Sequence, residues 1–148
     1  MSLNTKIADD LKDAMKAKDS FRLSCLRMLK ASVKNKQVEI GRELKDEEIQ
    51  KVISSLVRKS KEAAIEFRNG GREDLAAKEE SEAVVLAAYL PKQLTRDKME
   101  EIVREVISEL QAENMKDLGR VMKASLARMA GQADGKEVNR IVRELLGG

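Results

Sequence analysis

The sequence predicts an all-α protein, and three observations carry that prediction. Leu, Ile, Val, Met and Ala recur at helical spacing along the 148 residues, and no run alternates with period two for long enough to make a sheet. Hydrophobic residues make up 42% of the chain and charged residues 37%, a composition that suits apolar helical stripes under a charged surface. The only proline, Pro91, follows Tyr89-Leu90, where one helical pattern stops before another begins near Arg96. Proline cannot continue a helix and biases the residue before it towards extended backbone. Two helical modules are therefore expected, one over 1–90 and one over 91–148.

In the first module a helix is expected from about Thr5 to Lys18, with Ile7, Leu11, Ala14 and Met15 on one face. Asp19-Ser20 breaks it, and Ser20 is the expected cap of a second helix from Phe21 to about Ile40. That helix turns Leu23, Leu26, Leu29 (or Lys30) and Val33 inward, and Gly41 closes it. Asp46 is the expected cap of the third, where Ile49, Val52, Ile53, Leu56, Val57, Ser60, Ala63, Ala64 and Phe67 keep helical spacing up to Asn69-Gly70-Gly71. A fourth helix from about Glu73 to Ala88 directs Leu75, Val85, Leu86 and Tyr89 at the core. Short connections favour pairing these four helices as antiparallel hairpins.

After Pro91, Thr95 offers a cap for a fifth helix striped by Met99, Ile102, Val103, Val106, Ile107 and Leu110. Asn114 to Asp117 interrupt the pattern. Leu118, Val121, Met122, Ser125, Leu126 and Met129 mark a sixth helix. A loop over Gly131–Gly135 leads to the last, with Val138, Ile141, Val142 and Leu145. Three such short helices must pack on one another to be stable.

Composition removes several function classes. The chain has no histidine, so no Ser-His or Cys-His nucleophile can be assembled within it. Cys25, between Leu23 and Leu26, reads as a small buried residue. Gly131-Gln-Ala-Asp-Gly135-Lys136 has the outline of a phosphate loop, but with three residues between its glycines and Glu137 in place of Ser or Thr. It reads instead as a turn that caps the last helix through Asp134. Glu79, Glu80 and Glu82 are the densest acidic cluster. Glu79 and Glu82 share a helical face while Glu80 points away, and pairing of Glu79 or Glu82 with an arginine such as Arg72, or with one on a neighbouring helix, is preferred to a metal site. No catalytic residue, metal site or cofactor is expected. No apolar stretch approaches a membrane span, the first six residues lack a signal-peptide core, and one cysteine fits a reducing compartment. A soluble cytoplasmic protein with no membrane partner is expected.

The small net charge of +3 is unevenly spread. Residues 20–42 carry six Lys/Arg against Glu39 alone, residues 71–114 six against eleven acidic, and residues 115–148 seven against four. Basic regions flanking an acidic middle suit a polyanion. Only Phe21, Phe67 and Tyr89 are aromatic, too few to stack single-stranded bases, so a nucleic acid would be held by its phosphates, as in a folded RNA. Gly119 and Lys123 lie on one helical face with Arg120 beside them: the backbone is open to close approach at Gly119, and Arg120 and Lys123 supply charge. Tight helix packing at Gly119 is the structural alternative. Lys30, Lys34 and Lys36 offer a second basic face.

Two stretches resemble a known family. Phe67-Arg-Asn-Gly-Gly-Arg-Glu-Asp-Leu75, continuing through Glu79-Glu-Ser-Glu82 to Tyr89-Leu-Pro91, resembles the YqeY-like proteins, as does Arg27-Met-Leu-Lys-Ala31. Gly119-Arg-Val-Met-Lys123, followed by Gly131-Gln-Ala-Asp-Gly135 and Val138, is similar to the tail of the GatB subunit of glutamine-dependent tRNA amidotransferase. The first resemblance covers essentially the whole chain and the second about residues 95–148. Together they imply an all-α protein with a hairpin module of about four helices and a small three-helix tail. They imply an accessory protein that binds or accompanies tRNA, or a non-catalytic subunit beside a carbon–nitrogen ligase that uses glutamine as amide donor. In GatB the tail helps hold tRNA, while the chemistry lies in other domains and subunits. This chain departs from a strongly basic tail in its acidic fifth helix, with Asp97, Glu100, Glu101, Glu105, Glu109 and Glu113. A protein–protein interaction module, with an apolar patch around Tyr89-Leu90-Pro91, is the competing expectation.

Overall fold

The computed structural model describes residues 2–147 and is all-helical, with one unit ending at Leu90 and a second beginning at Pro91. The first unit holds α1 (Leu3–Lys16), α2 (Ser20–Ile40), α3 (Asp46–Asn69) and α4 (Glu73–Ala87). The Ser2 hydroxyl accepts from the Thr5 N–H at 3.2 Å and starts α1. Asp19, rather than the expected Ser20, caps α2: its carboxylate accepts from the Arg22 N–H at 3.1 Å. A carboxylate at that place also suits the positive end of the helix dipole. Gly41 stops α2 in the left-handed conformation, φ 77°, where its N–H donates to the Gln37 carbonyl at 2.8 Å.

Asp46 does not cap its own helix. It accepts from the Leu3 N–H at 3.1 Å and so fastens α1 to the start of α3. The turn before α3 is held by Glu48, which accepts from the Lys45 N–H at 3.0 Å and from both terminal nitrogens of Arg42 at 2.7 and 3.0 Å. Arg42 first, and the Lys45 N–H second, hold the Glu48 carboxyl down to about 2. Gly71, at φ 77°, makes the sharp turn from α3 into α4.

α3 and α4 form the most extensive pairing, and α1 lies on α2. Leu26, Leu29, Ile49, Ile53 and Leu86 fill the centre, all 0% exposed. α4 contributes differently from expectation. Its buried positions are Ala76, Ala83 and Leu86, with Tyr89 buried in the turn just after it, while Leu75 and Val85 are only half-buried. Alanines there let helix backbones approach closely.

The second unit holds α5 (Arg96–Leu110), a single 3₁₀ turn over Met115–Asp117, α6 (Leu118–Met129) and α7 (Gly135–Gly147). The Thr95 hydroxyl caps α5 by accepting from the Lys98 N–H at 3.2 Å. Val103, Val106, Val121, Val138, Ile141 and Val142 form the core with Met99 and Met129. The Gly131–Gly135 loop is a strut and not an anion cradle: the Gln132 carbonyl accepts from the Leu94 N–H at 2.8 Å, and the Gly131 carbonyl accepts from Gln93 at 3.1 Å. α7 begins directly after Asp134, whose carbonyl receives the Val138 N–H.

Candidate functional site

Gly119, Arg120 and Lys123 lie together, all exposed, over the first turns of α6. A Cβ added at Gly119 would meet nothing within 4 Å, so the glycine serves no helix packing. Its face is open. Arg120 is engaged: it donates to Asp117 at 2.7 Å. Asp117 also accepts from the Glu113 N–H at 2.9 Å, and this bond first, with Arg120 second, holds its carboxyl below the ordinary range. Lys123 is exposed and meets no carboxylate among the described residues.

On α2 the three lysines separate. Lys30 and Lys34 share a face, whereas Lys36, two residues on, sits about 120–160° around the helix and pairs with Glu39 at 3.4 Å. The place of Lys36 is taken by Arg27, which sequence reasoning left out of the site although its i, i+3, i+7 spacing with Lys30 and Lys34 was there to read. These three are exposed and meet no carboxylate among the described residues. The stripe from Arg27 to Lys34 runs about 10 Å along the helix.

The acidic cluster divides. Arg68, and not Arg72, is the arginine that reaches it: Arg68 binds Glu80 at 2.6 Å and Glu73 at 2.8 Å, while Arg72 pairs with Asp74 at 3.1 Å. Glu82 faces Glu79 instead of an arginine. Partial burial, then the charge of Glu79, pushes the Glu82 carboxyl up. Among the described residues no group of three His, Cys, Asp or Glu is placed to hold a metal ion.

Cys25 is 3% exposed, and burial, then the charge of Glu82, pushes its thiol up. A buried, protonated thiol is a poor nucleophile. Tyr89 is 8% exposed, donates its hydroxyl to Asp10 at 2.5 Å and carries Lys6 5.5 Å above its ring; Leu90 packs on the same core. The apolar patch expected at Tyr89-Leu90-Pro91 is therefore absent, because the tyrosine points inward. No helix among the described residues is long and apolar enough to cross a membrane.

Comparison with known proteins bears on this arrangement. Residues 4–146 match the family model of the Yqey-like protein. A relative from Pyrenophora tritici-repentis, altered inheritance of mitochondria protein 41, mitochondrial, is 28% identical over 145 residues, covering 96% of this chain and 80% of the relative. Proteins of the same name from Lachancea thermotolerans and Saccharomyces cerevisiae are 37% and 32% identical over 82 residues. Each of those matches covers 55% of this chain and 44% of the relative, so the yeast relatives are matched over less than half their length. With the family model matched from residue 4 to residue 146, the chain belongs to the family of Yqey-like proteins.

Proposed function

We propose that this chain is an accessory protein that associates with tRNA, or a similarly folded RNA, through phosphate contacts and without a catalytic site of its own. The observation that carries the reading is the stripe of Arg27, Lys30 and Lys34, three exposed cations with no acidic partner among the described residues. Unpaired cations in a row are what a polyphosphate backbone neutralises on binding, with release of its counterions. Lys123 beside the open backbone at Gly119 offers a second contact in the other unit, and Arg120 can join it only by leaving Asp117. Base stacking is not part of the reading, since Tyr89 is buried, Phe67 half-buried, and Phe21 alone of the three aromatics is exposed, too little for a stacking platform. The resemblance to the GatB tail read in the sequence over residues 95–148 is the ground for taking tRNA as the RNA. The mitochondrial names belong to the relatives; for this chain we keep the cytoplasm as the proposed location.

The test is a titration of labelled bulk tRNA with the full chain at about 50 mM and about 200 mM salt. Three contacted phosphates lower the affinity about 20- to 40-fold over that range. Arg27→Ala/Lys30→Ala/Lys34→Ala should weaken binding and flatten that dependence, and Arg120→Ala/Lys123→Ala should reduce it by a smaller step. Absence of binding at the lower salt removes the RNA reading and leaves a protein-interaction module in its place.

A further inference from the structure

α2 and α3 are the two longest helices, yet they touch little: α3 packs chiefly on α4, and α2 on α1 and α4. Between them a groove of about 720 Å³ stays open. Ser32, Asn35 and Glu39 of α2 form one wall, and Lys51, Ser55 and Lys59 of α3 the other. Steps of three and four residues keep each set on a single helix face. Leu44, Val52 and Leu56 give the groove an apolar floor. The α3 wall, from Glu48 to Lys59, runs about 16 Å, or three helical turns.

We propose that this groove is a docking slot for an acidic amphipathic helix of a partner protein. Two helix faces diverging over an apolar floor are the setting in which a third helix lays its apolar stripe. Charge selects its chemistry. Both carboxylates in the groove are already engaged, Glu39 by Lys36 at 3.4 Å and Glu48 by Arg42 at 2.7 Å. Lys51 and Lys59 are exposed and meet no carboxylate among the described residues. They stand eight residues apart, about 12 Å along α3. The partner helix therefore carries apolar residues at i, i+3 or i+4, and i+7 for the floor, with Asp or Glu two turns apart along its α3 edge. An RNA held by its phosphates fits this surface less well, because the aliphatic floor offers a phosphate backbone no contact and two carboxylates line the groove. The groove also lies about 150° around α2 from Arg27, Lys30 and Lys34, so the two surfaces are separate.

The proposal is tested with a display library of helices of about 16 residues, apolar at heptad-spaced positions and acidic elsewhere, selected on the full chain. Enriched peptides should bind the full chain, while scrambled peptides of the same composition should not. Lys51→Glu/Lys59→Glu should weaken the enriched peptides at least about tenfold, since two attractions become repulsions. Both lysines are exposed, so this variant keeps its fold, which circular dichroism checks. Val52→Glu should abolish binding by placing a charge on the floor. In Lys51→Ala/Lys59→Ala, which removes the two cations without reversing their charge, the affinity for labelled tRNA should fall by less than in Arg27→Ala/Lys30→Ala/Lys34→Ala. The proposal is overturned if no peptide enriches, or if enriched peptides bind Lys51→Glu/Lys59→Glu and Val52→Glu as tightly as the parent. It is overturned equally if the lysine pair governs tRNA affinity while no peptide depends on it.

Discussion

Tyr89 joins residues 79 positions apart through a single hydroxyl, and Tyr89→Phe removes that hydroxyl while keeping the ring. The 2.5 Å bond to Asp10 has a charged acceptor, and such bonds contribute about 1.5–3 kcal/mol. Arg22, 3.7 Å from the same carboxylate, still faces it in the variant, and Asp10 keeps 21% of its side chain exposed. Asp10 is therefore not left uncompensated, and the loss falls at the lower end, about 1.5 kcal/mol. Protection of amides in α1, α2 and α4 against hydrogen exchange should drop by that amount. The pH dependence gives a second reading. Burial first, and the bond to Asp10 second, push the Tyr89 hydroxyl well above the ordinary tyrosine value. The folded state thus favours the neutral phenol. Its stabilisation is fully present below the ordinary pKa of about 10 and is lost as pH rises through the raised value. The gap in stability between parent and Tyr89→Phe should accordingly narrow above about pH 10. Tyr89 is the only tyrosine, and the chain has no tryptophan, so the ultraviolet absorbance of tyrosinate follows this group alone. Ionisation of folded protein near pH 10, or a variant as stable as its parent, would refute the burial and the bond together.

Leu86 is 0% exposed at the centre of the first unit, and Leu86→Ala should cost about 3 kcal/mol in denaturant unfolding. A cost below about 1 kcal/mol would mean that the helices collapse onto the gap. The Ser125 hydroxyl is buried without a hydrogen-bond partner, so Ser125→Ala should stabilise the second unit by about 1 kcal/mol, read as a rise in melting temperature. A fall would show that the hydroxyl is satisfied. Glu82→Gln removes a carboxyl whose raised pKa makes the fold favour its protonated form. That form adds stability below the ordinary value of 4.5, and the contribution is lost as pH rises through the raised one. The variant should therefore melt higher than its parent near neutral pH and approach it near pH 4.5; equal melting at neutral pH would contradict the facing of Glu82 and Glu79.

Helix existence was readable because apolar periodicity is a property of local sequence. The breaks at Gly41, Gly70-Gly71 and Thr95 were readable because cap chemistry is local too. Errors arose where two neighbouring residues could do the same work. Asp19 and Ser20 are both good caps, and the one-residue choice depends on where the chain leaves α1. Asp46 was claimed by the Leu3 N–H, a partner 43 residues away that no local rule anticipates. On α4, hydrophobicity favoured Leu75 and Val85, but close helix packing buried Ala76 and Ala83. Of the candidate contacts, the helical period alone would have set Lys36 apart and brought Arg27 in.

The sequence by itself determined an all-α chain, the order of its helices, the burial of Cys25 and the uneven distribution of charge. Local spacing and composition suffice for these. Only the tertiary structure decided which charges are engaged and which are free. Arg68 chose Glu73 and Glu80, Arg120 chose Asp117, and Lys36 chose Glu39, while Arg27, Lys30, Lys34, Lys51, Lys59 and Lys123 found no carboxylate among the described residues. Only packing, likewise, held α2 and α3 far enough apart to leave a groove. Ion pairs and grooves depend on distances between segments remote in sequence, and those distances are set by how side-chain volumes fill the core.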